Sequence, residues 1–146
     1  MRIVVSNFAV IRRADIEIKP MTVFLGQNAS GKSYILYLIW GLFSVEPNWE
    51  IIATETDGVL DKLQKMSGKT KESALLIKSY YLSFIKRFGD LISGNLEDHL
   101  TDVFLVSNIR ELIGQYGSET KIEVHGETYY GKYHLFDVII DRSGLR

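Results

Sequence analysis

The chain has 146 residues, 46% of them hydrophobic and 24% charged, with 17 Lys+Arg against 18 Asp+Glu for a formal net charge of -1. A chain of this length makes one domain and buries roughly 70% of its unfolded surface, and its composition excludes the disordered, collagen-like and low-complexity classes. Near-neutrality means that any nucleic-acid or anionic-lipid contact has to be local, and the absence of cysteine excludes a disulfide framework or a thiolate zinc site and fits the reducing cytoplasm.

In chain order, Ile3 to Val5 is too short an apolar run for a secretory leader. Residues 2 to 25 read as three strands. Ile16 and Ile18 alternate with Asp15, Glu17 and Lys19, the period of a strand with one wet face, and Arg2 to Ser6 is expected to pair with it as a hairpin. After Pro20, the run Met21 to Leu25 is almost wholly apolar, which predicts a central strand buried on both faces. Ile35, Leu36, Leu38, Ile39, Leu42 and Phe43 then recur at helical spacing, so a helix is expected from Gly31 or Lys32 to about Ser44, with Pro47 marking its stop. The apolar stretch Tyr34 to Phe43 is about half of the ~20 residues that a membrane-spanning helix needs, and a soluble protein without a membrane partner is expected.

The middle third, about Thr56 to Tyr116, reads as a helical insertion with apolar stripes at Val59, Leu60, Leu63 and Met66 and at Leu76, Tyr80, Phe84 and Phe88. Asn108 followed by Glu111 is a capping-box pattern for a short last helix ending near Gly114. From Thr120 the pattern returns to strands: Ile122 and Val124 alternate with Lys121 and Glu123, Gly126-Glu127 can turn, and Thr128 to Asp141 supplies one or two more. The reading is a single α/β domain over residues 1–146: hairpin, strand and helix over 2–55, helical insertion over 56–116 and β-strands over 117–146.

The sharp motif is Gly26-Gln27-Asn28-Ala29-Ser30-Gly31-Lys32-Ser33, which fills G-x-x-x-x-G-K-[ST]. A chance match in a chain this long is on the order of 0.5% from ordinary residue frequencies, and the motif lies between a strand pattern and a helix pattern, as it requires. A polyphosphate needs many donors at close range. A loop that winds into a helix N-terminus aims backbone N–H groups inward and adds the positive end of the helix dipole. Gly26 and Gly31 let the backbone turn and approach, Lys32 reaches the β and γ phosphates, and the Ser33 hydroxyl takes a position on Mg²⁺. With Tyr34 in the first helical turn, these nine residues are the candidate ATP-binding set. The plain alternative is a glycine-rich strand-to-helix turn with a solvated lysine.

Asn7-Phe8, Ile16-Glu17-Ile18, Met21 to Leu25 and the GQNASGKS loop together resemble the N-terminal signature of ABC-class P-loop ATPases of the SMC, RecF and overcoming-lysogenization-defect (OLD) kind. The likeness is specific over Arg2 to Phe43 and architectural from Thr120 on, where such proteins place antiparallel strands of the same lobe. It implies ATP bound by the loop with Mg²⁺ and capped by a Leu-Ser-Gly-Gly signature from another subunit. It also implies a carboxylate after a second hydrophobic strand to hold Mg²⁺ through water, and a glutamate beside it to activate water.

Those last parts have no clear counterpart. Ile92-Ser93-Gly94-Asn95 resembles the signature but reads as an interhelical turn; Val138-Ile139-Ile140-Asp141 has the shape of the second strand, but Arg142 stands where the glutamate belongs, which leaves Asp141 as a weak Mg²⁺ candidate in what reads as an ordinary strand and turn. No catalytic residue is identified. The implied protein is the ATP-binding lobe of a DNA-maintenance or defence ATPase, a fragment or split half completed by a homodimer mate or a complementary lobe. The alternatives are a small P-loop kinase acting on a metabolite, for which the arginines form no lid cluster, and a degenerate scaffold without turnover. Between Lys62 and Arg87 seven basic residues face one acid, Glu72; a solvated helix face is the simpler reading and DNA backbone contact the other. His99, His125 and His134 show no metal-ligand spacing, and Tyr80, Tyr81 and Phe84 read as core.

Overall fold

Alternation in the first residues dictates the first strand pair. In β1 (Arg2–Phe8) Ile3 and Val5 are fully buried while Arg2, Val4 and Ser6 face the other way. A tight turn at Ala9 and Val10 returns the chain as β2 (Ile11–Glu17), with Arg2 opposite Glu17 and Phe8 opposite Ile11. This computed structural model describes residues 1–47, 49–65, 70–128 and 131–146.

The expected hairpin is therefore present, with its second strand starting at Ile11 and ending at Glu17. The expected central strand is not. No strand forms between Ile18 and Gly31; Met21, Val23 and Leu25 are 83%, 64% and 88% exposed, and only Phe24 of that run packs against the core. An apolar run becomes a two-sided central strand only where neighbouring strands and layers cover it. β2 is the edge of the sheet, and no described element flanks the run. Instead the Lys19 N–H donates to Thr22 Oγ1 (3.0 Å), closing a turn around Pro20.

Helix α1 (Lys32–Ser44) matches its periodicity and buries Ile35, Leu38, Gly41 and Leu42. Helix α2 (Trp49–Lys65) starts upstream of Thr56, and helices α3 (Thr70–Lys86) and α4 (Phe88–Phe104) follow. The stripe position Met66 lies outside the described residues. Among the described side chains of α2 and α3 none is fully buried, and Tyr81 is 43% exposed, so Tyr81 is not core. Thr56 Oγ1 and the Tyr80 hydroxyl, 3.2 Å apart, join the two helices. α4 belongs to the core through Leu91, Ile92, Leu96 and Leu100. Gly94 lies inside α4, so Ile92 to Asn95 is continuous helix and not the interhelical turn expected.

The capping box at Asn108 and Glu111 forms and starts a single 3₁₀ turn, Ile109–Leu112. β3 (Thr120–Thr128) and β4 (Gly131–Asp141) pair antiparallel, and a two-residue β5 (Gly144–Leu145) closes the order β2-β1-β3-β4-β5. The chain does not turn at Gly126-Glu127. β3 continues through them, and the Tyr133 ring lies over Gly126 so closely that a Cβ there would come within 2.4 Å of it. Ile3, Val5, Ile122, Val124, Val138 and Ile140 form the sheet's dry face, against which α1 and α4 pack. The opposite face is polar and carries the Arg2–Asp15 and Lys121–Glu123 pairs. The hydrogen bond from Arg2 lowers the pKa of Asp15, and that from Lys121 lowers that of Glu123.

Candidate functional site

The glycine-rich octapeptide forms a loop that curls into the start of α1. Ala29 is left-handed at φ 61°, and Gly31 at φ 86° is the N-cap residue of the helix. Gly31 is required twice over: its φ suits glycine, and a Cβ there would sit 2.8 Å from Ile11 Cγ1 and 3.3 Å from Val10 Cγ2. The hairpin turn thus forms the bed on which the loop rests.

The first N–H groups of any helix lack an intrahelical acceptor. Here Gly31 offers no side chain to cap them and the first turn holds no acidic residue, so the positive end of α1 is left for an external anion. Lys32 folds back over the loop, its Nζ donating to the Gly26 carbonyl (2.9 Å), the Gln27 carbonyl (2.5 Å) and Ser30 Oγ (3.2 Å). It is half-buried over the loop rather than extended into solvent. A cavity of about 290 Å³ opens at this point, lined by Val10 and by residues 28–34 of the loop and first turn.

Gly26, Gln27, Asn28, Ala29, Ser30, Gly31, Lys32, Ser33 and Tyr34 are thus brought together as one surface. Ser33 is exposed there. No group of three or more His, Asp or Glu that could hold a metal ion occurs among the described residues, so a divalent cation would have to arrive with the oxygens of its ligand and find one hydroxyl, that of Ser33.

Asp141 lies elsewhere. Its Oδ1 accepts from the Ser143 N–H (2.7 Å) and hydroxyl (2.5 Å), and its Oδ2 accepts from Arg146. These bonds close the β4–β5 turn, and the Ser143 hydrogen bond holds the Asp141 carboxyl below its ordinary pKa. Asp141 does not line the loop cavity. His99 shares a 2.9 Å hydrogen bond with Ser44 Oγ, and His125 and His134 face each other across β3 and β4 with ring centres 5.1 Å apart. Of the side chains at the hairpin tip, Phe8 and Ile11 are buried, leaving Arg12 and Arg13 exposed.

Sequence reasoning missed what Asn7 does. It is left-handed at φ 54° and only 7% exposed. Its Nδ2 donates to the Glu119 carbonyl (2.7 Å), its Oδ1 accepts from the Tyr116 N–H (2.8 Å), and its own carbonyl accepts from the Gly114 N–H (2.8 Å) and from Thr120 Oγ1. This pins the segment before β3 to the strand that leads into the hairpin turn beneath the loop. Phe8 next to it packs edge-on against Tyr34 (6.3 Å) and Phe104 (5.3 Å). The available signal was the Asn7-Phe8 pair in the resemblance.

The family model of the AAA ATPase domain matches residues 1–138, and the chain belongs to that family, the ABC-class, SMC/RecF/OLD-like kind of P-loop ATPase domain. No curated protein and no solved structure matches the chain. No helix among the described residues is long and apolar enough to cross a membrane.

Proposed function

We propose that this chain is the ATP-binding lobe of an SMC/RecF/OLD-like ATPase, a fragment or split half that a partner lobe or a second copy completes for hydrolysis in DNA maintenance or defence. The observation that carries the reading is the uncapped, acid-free N-terminus of α1, faced by a glycine-turned loop and a lysine ammonium already drawn to that loop's oxygens. An anion is what such a concavity lacks. In the bound state the loop's N–H groups and Lys32 hold the β and γ phosphates, and Ser33 ligates the Mg²⁺ that the triphosphate carries in. The metal supplies charge neutralisation on the phosphate oxygens; the chain's own residues bind and orient.

Calorimetry with ATP and Mg²⁺ tests this. The wild-type chain is expected to bind, and Lys32→Ala to lose ten- to a hundredfold or more in affinity with an unchanged far-UV spectrum, since charge-assisted hydrogen bonds are the strong ones. Equal affinity in the two proteins, or none in the wild type, refutes the assignment.

A further inference from the structure

Beside the loop, a second cavity of about 680 Å³ lies between α1 and the C-terminal end of α4. Its walls are Tyr34, Tyr37, Trp40, His99, Asp102 and Phe104, and it shares Ser33 and Tyr34 with the phosphate-loop cavity, so the two adjoin. A cavity of this size is in the range that takes small organic ligands.

Its chemistry is the opposite of the loop's. Tyr34 and Phe104 stack nearly parallel (5.8 Å, 14°), Tyr37 meets Phe104 edge-on (6.3 Å, 90°), and Trp40 lies 5.9 Å from the His99 ring. Tyr37 and Trp40 are 55% and 57% exposed, an unusual placement for two large rings unless they have a use there. The charge at this end is negative: α4 ends with Asp102 in its last turn and no basic residue to offset its carbonyls. The Asp102 side chain has no partner among the described residues. Such a site repels phosphate. It suits a flat, neutral ring that stacks on aromatics and donates hydrogen bonds from an amino group to a carboxylate.

We infer that this cleft binds the base of the nucleotide whose phosphates occupy the loop, the purine stacking on Tyr37 and Trp40 with its exocyclic amine donated to Asp102. The inference rests on the phosphate-loop reading and adds to it the residues that select the base. A nucleotide has the matching polarity: an anionic tail for the positive start of α1 and an amine-bearing ring for the negative end of α4. His99, held by Ser44, stands behind Trp40 as a positioning residue. The hairpin-tip side chains Phe8 and Ile11 are buried and cannot stack on a ligand.

Inorganic tripolyphosphate, which has the tail and no ring, separates the two readings. With Mg²⁺ present, Tyr37→Ala and Asp102→Ala are each expected to weaken ATP binding about tenfold while leaving tripolyphosphate within about twofold of wild type. ATP is also expected to change the tryptophan fluorescence of the wild-type chain, tripolyphosphate is not, and Trp40→Phe should abolish the change, leaving Trp49 as an unresponsive reporter. ATP affinity untouched by both variants, or a fluorescence change that survives Trp40→Phe, overturns the base site and leaves the loop standing. Failure of wild type to bind either ligand removes the loop reading, and the base site with it.

Discussion

Asn7 is the residue on which the site's foundation turns. A left-handed φ costs most side-chain-bearing residues about 1 kcal/mol, and asparagine is among the few that adopt it readily. Here that backbone turn also presents the side-chain amide to Tyr116 and Glu119. Alanine would keep the strain and leave the Tyr116 N–H and the Glu119 carbonyl without their partner, so Asn7→Ala is expected to cost about 2–4 kcal/mol in urea unfolding. A loss under about 1 kcal/mol would show that the hub is dispensable. The sequence could not reveal this role because the Tyr116 contact lies 109 positions along the chain, and neither periodicity nor a motif reports contacts at that range. Lys32 and Gly31 were legible for the converse reason: their work is done within a few residues, against Gly26, Gln27 and Ser30 and at the helix start.

Helices are legible from periodicity, but the pattern identifies an apolar face without saying whether anything covers it. α1 is the clear case. Ile35, Leu38 and Leu42 are buried as the 3.6-residue period requires, yet Leu36, Trp40 and Phe43 on its other side are 50%, 57% and 41% exposed. The same ambiguity produced the expectation of a central strand at Met21 to Leu25, whose composition fits burial while its surroundings supply no neighbour. In α2 and α3, Leu60, Leu75 and Ile77 read as stripe residues but are 49%, 66% and 52% exposed, whereas Leu96 and Leu100 of α4 are sealed against the sheet. Stability should follow that division, because local opening is cheapest where few apolar contacts are broken. Native-state hydrogen exchange is therefore expected to show α2 and α3 exchanging at least about tenfold faster than α4, β1 and β3. Uniform protection would mean that the peripheral helices share the cooperative core.

For the whole molecule, the issue is why binding should not become turnover. Hydrolysis needs a carboxylate or equivalent base within reach of the attacking water. The loop cavity is lined by Val10 and residues 28–34, among which there is no Asp or Glu. Asp102, the acidic residue lining the adjoining cleft, sits at the end we assign to the base rather than to the γ-phosphate. The carboxylate that ends the second hydrophobic strand, Asp141, is already engaged by Ser143 and Arg146 in its own turn. The purified chain with ATP and Mg²⁺ is accordingly expected to release phosphate no faster than Lys32→Ala does, at any protein concentration. First-order, Lys32-dependent release would place the base within the chain. Release per chain that climbs with concentration would place it on a second copy, and would make the exposed apolar run of Met21, Val23 and Leu25 together with the outer face of α1 the first surface to examine for that contact.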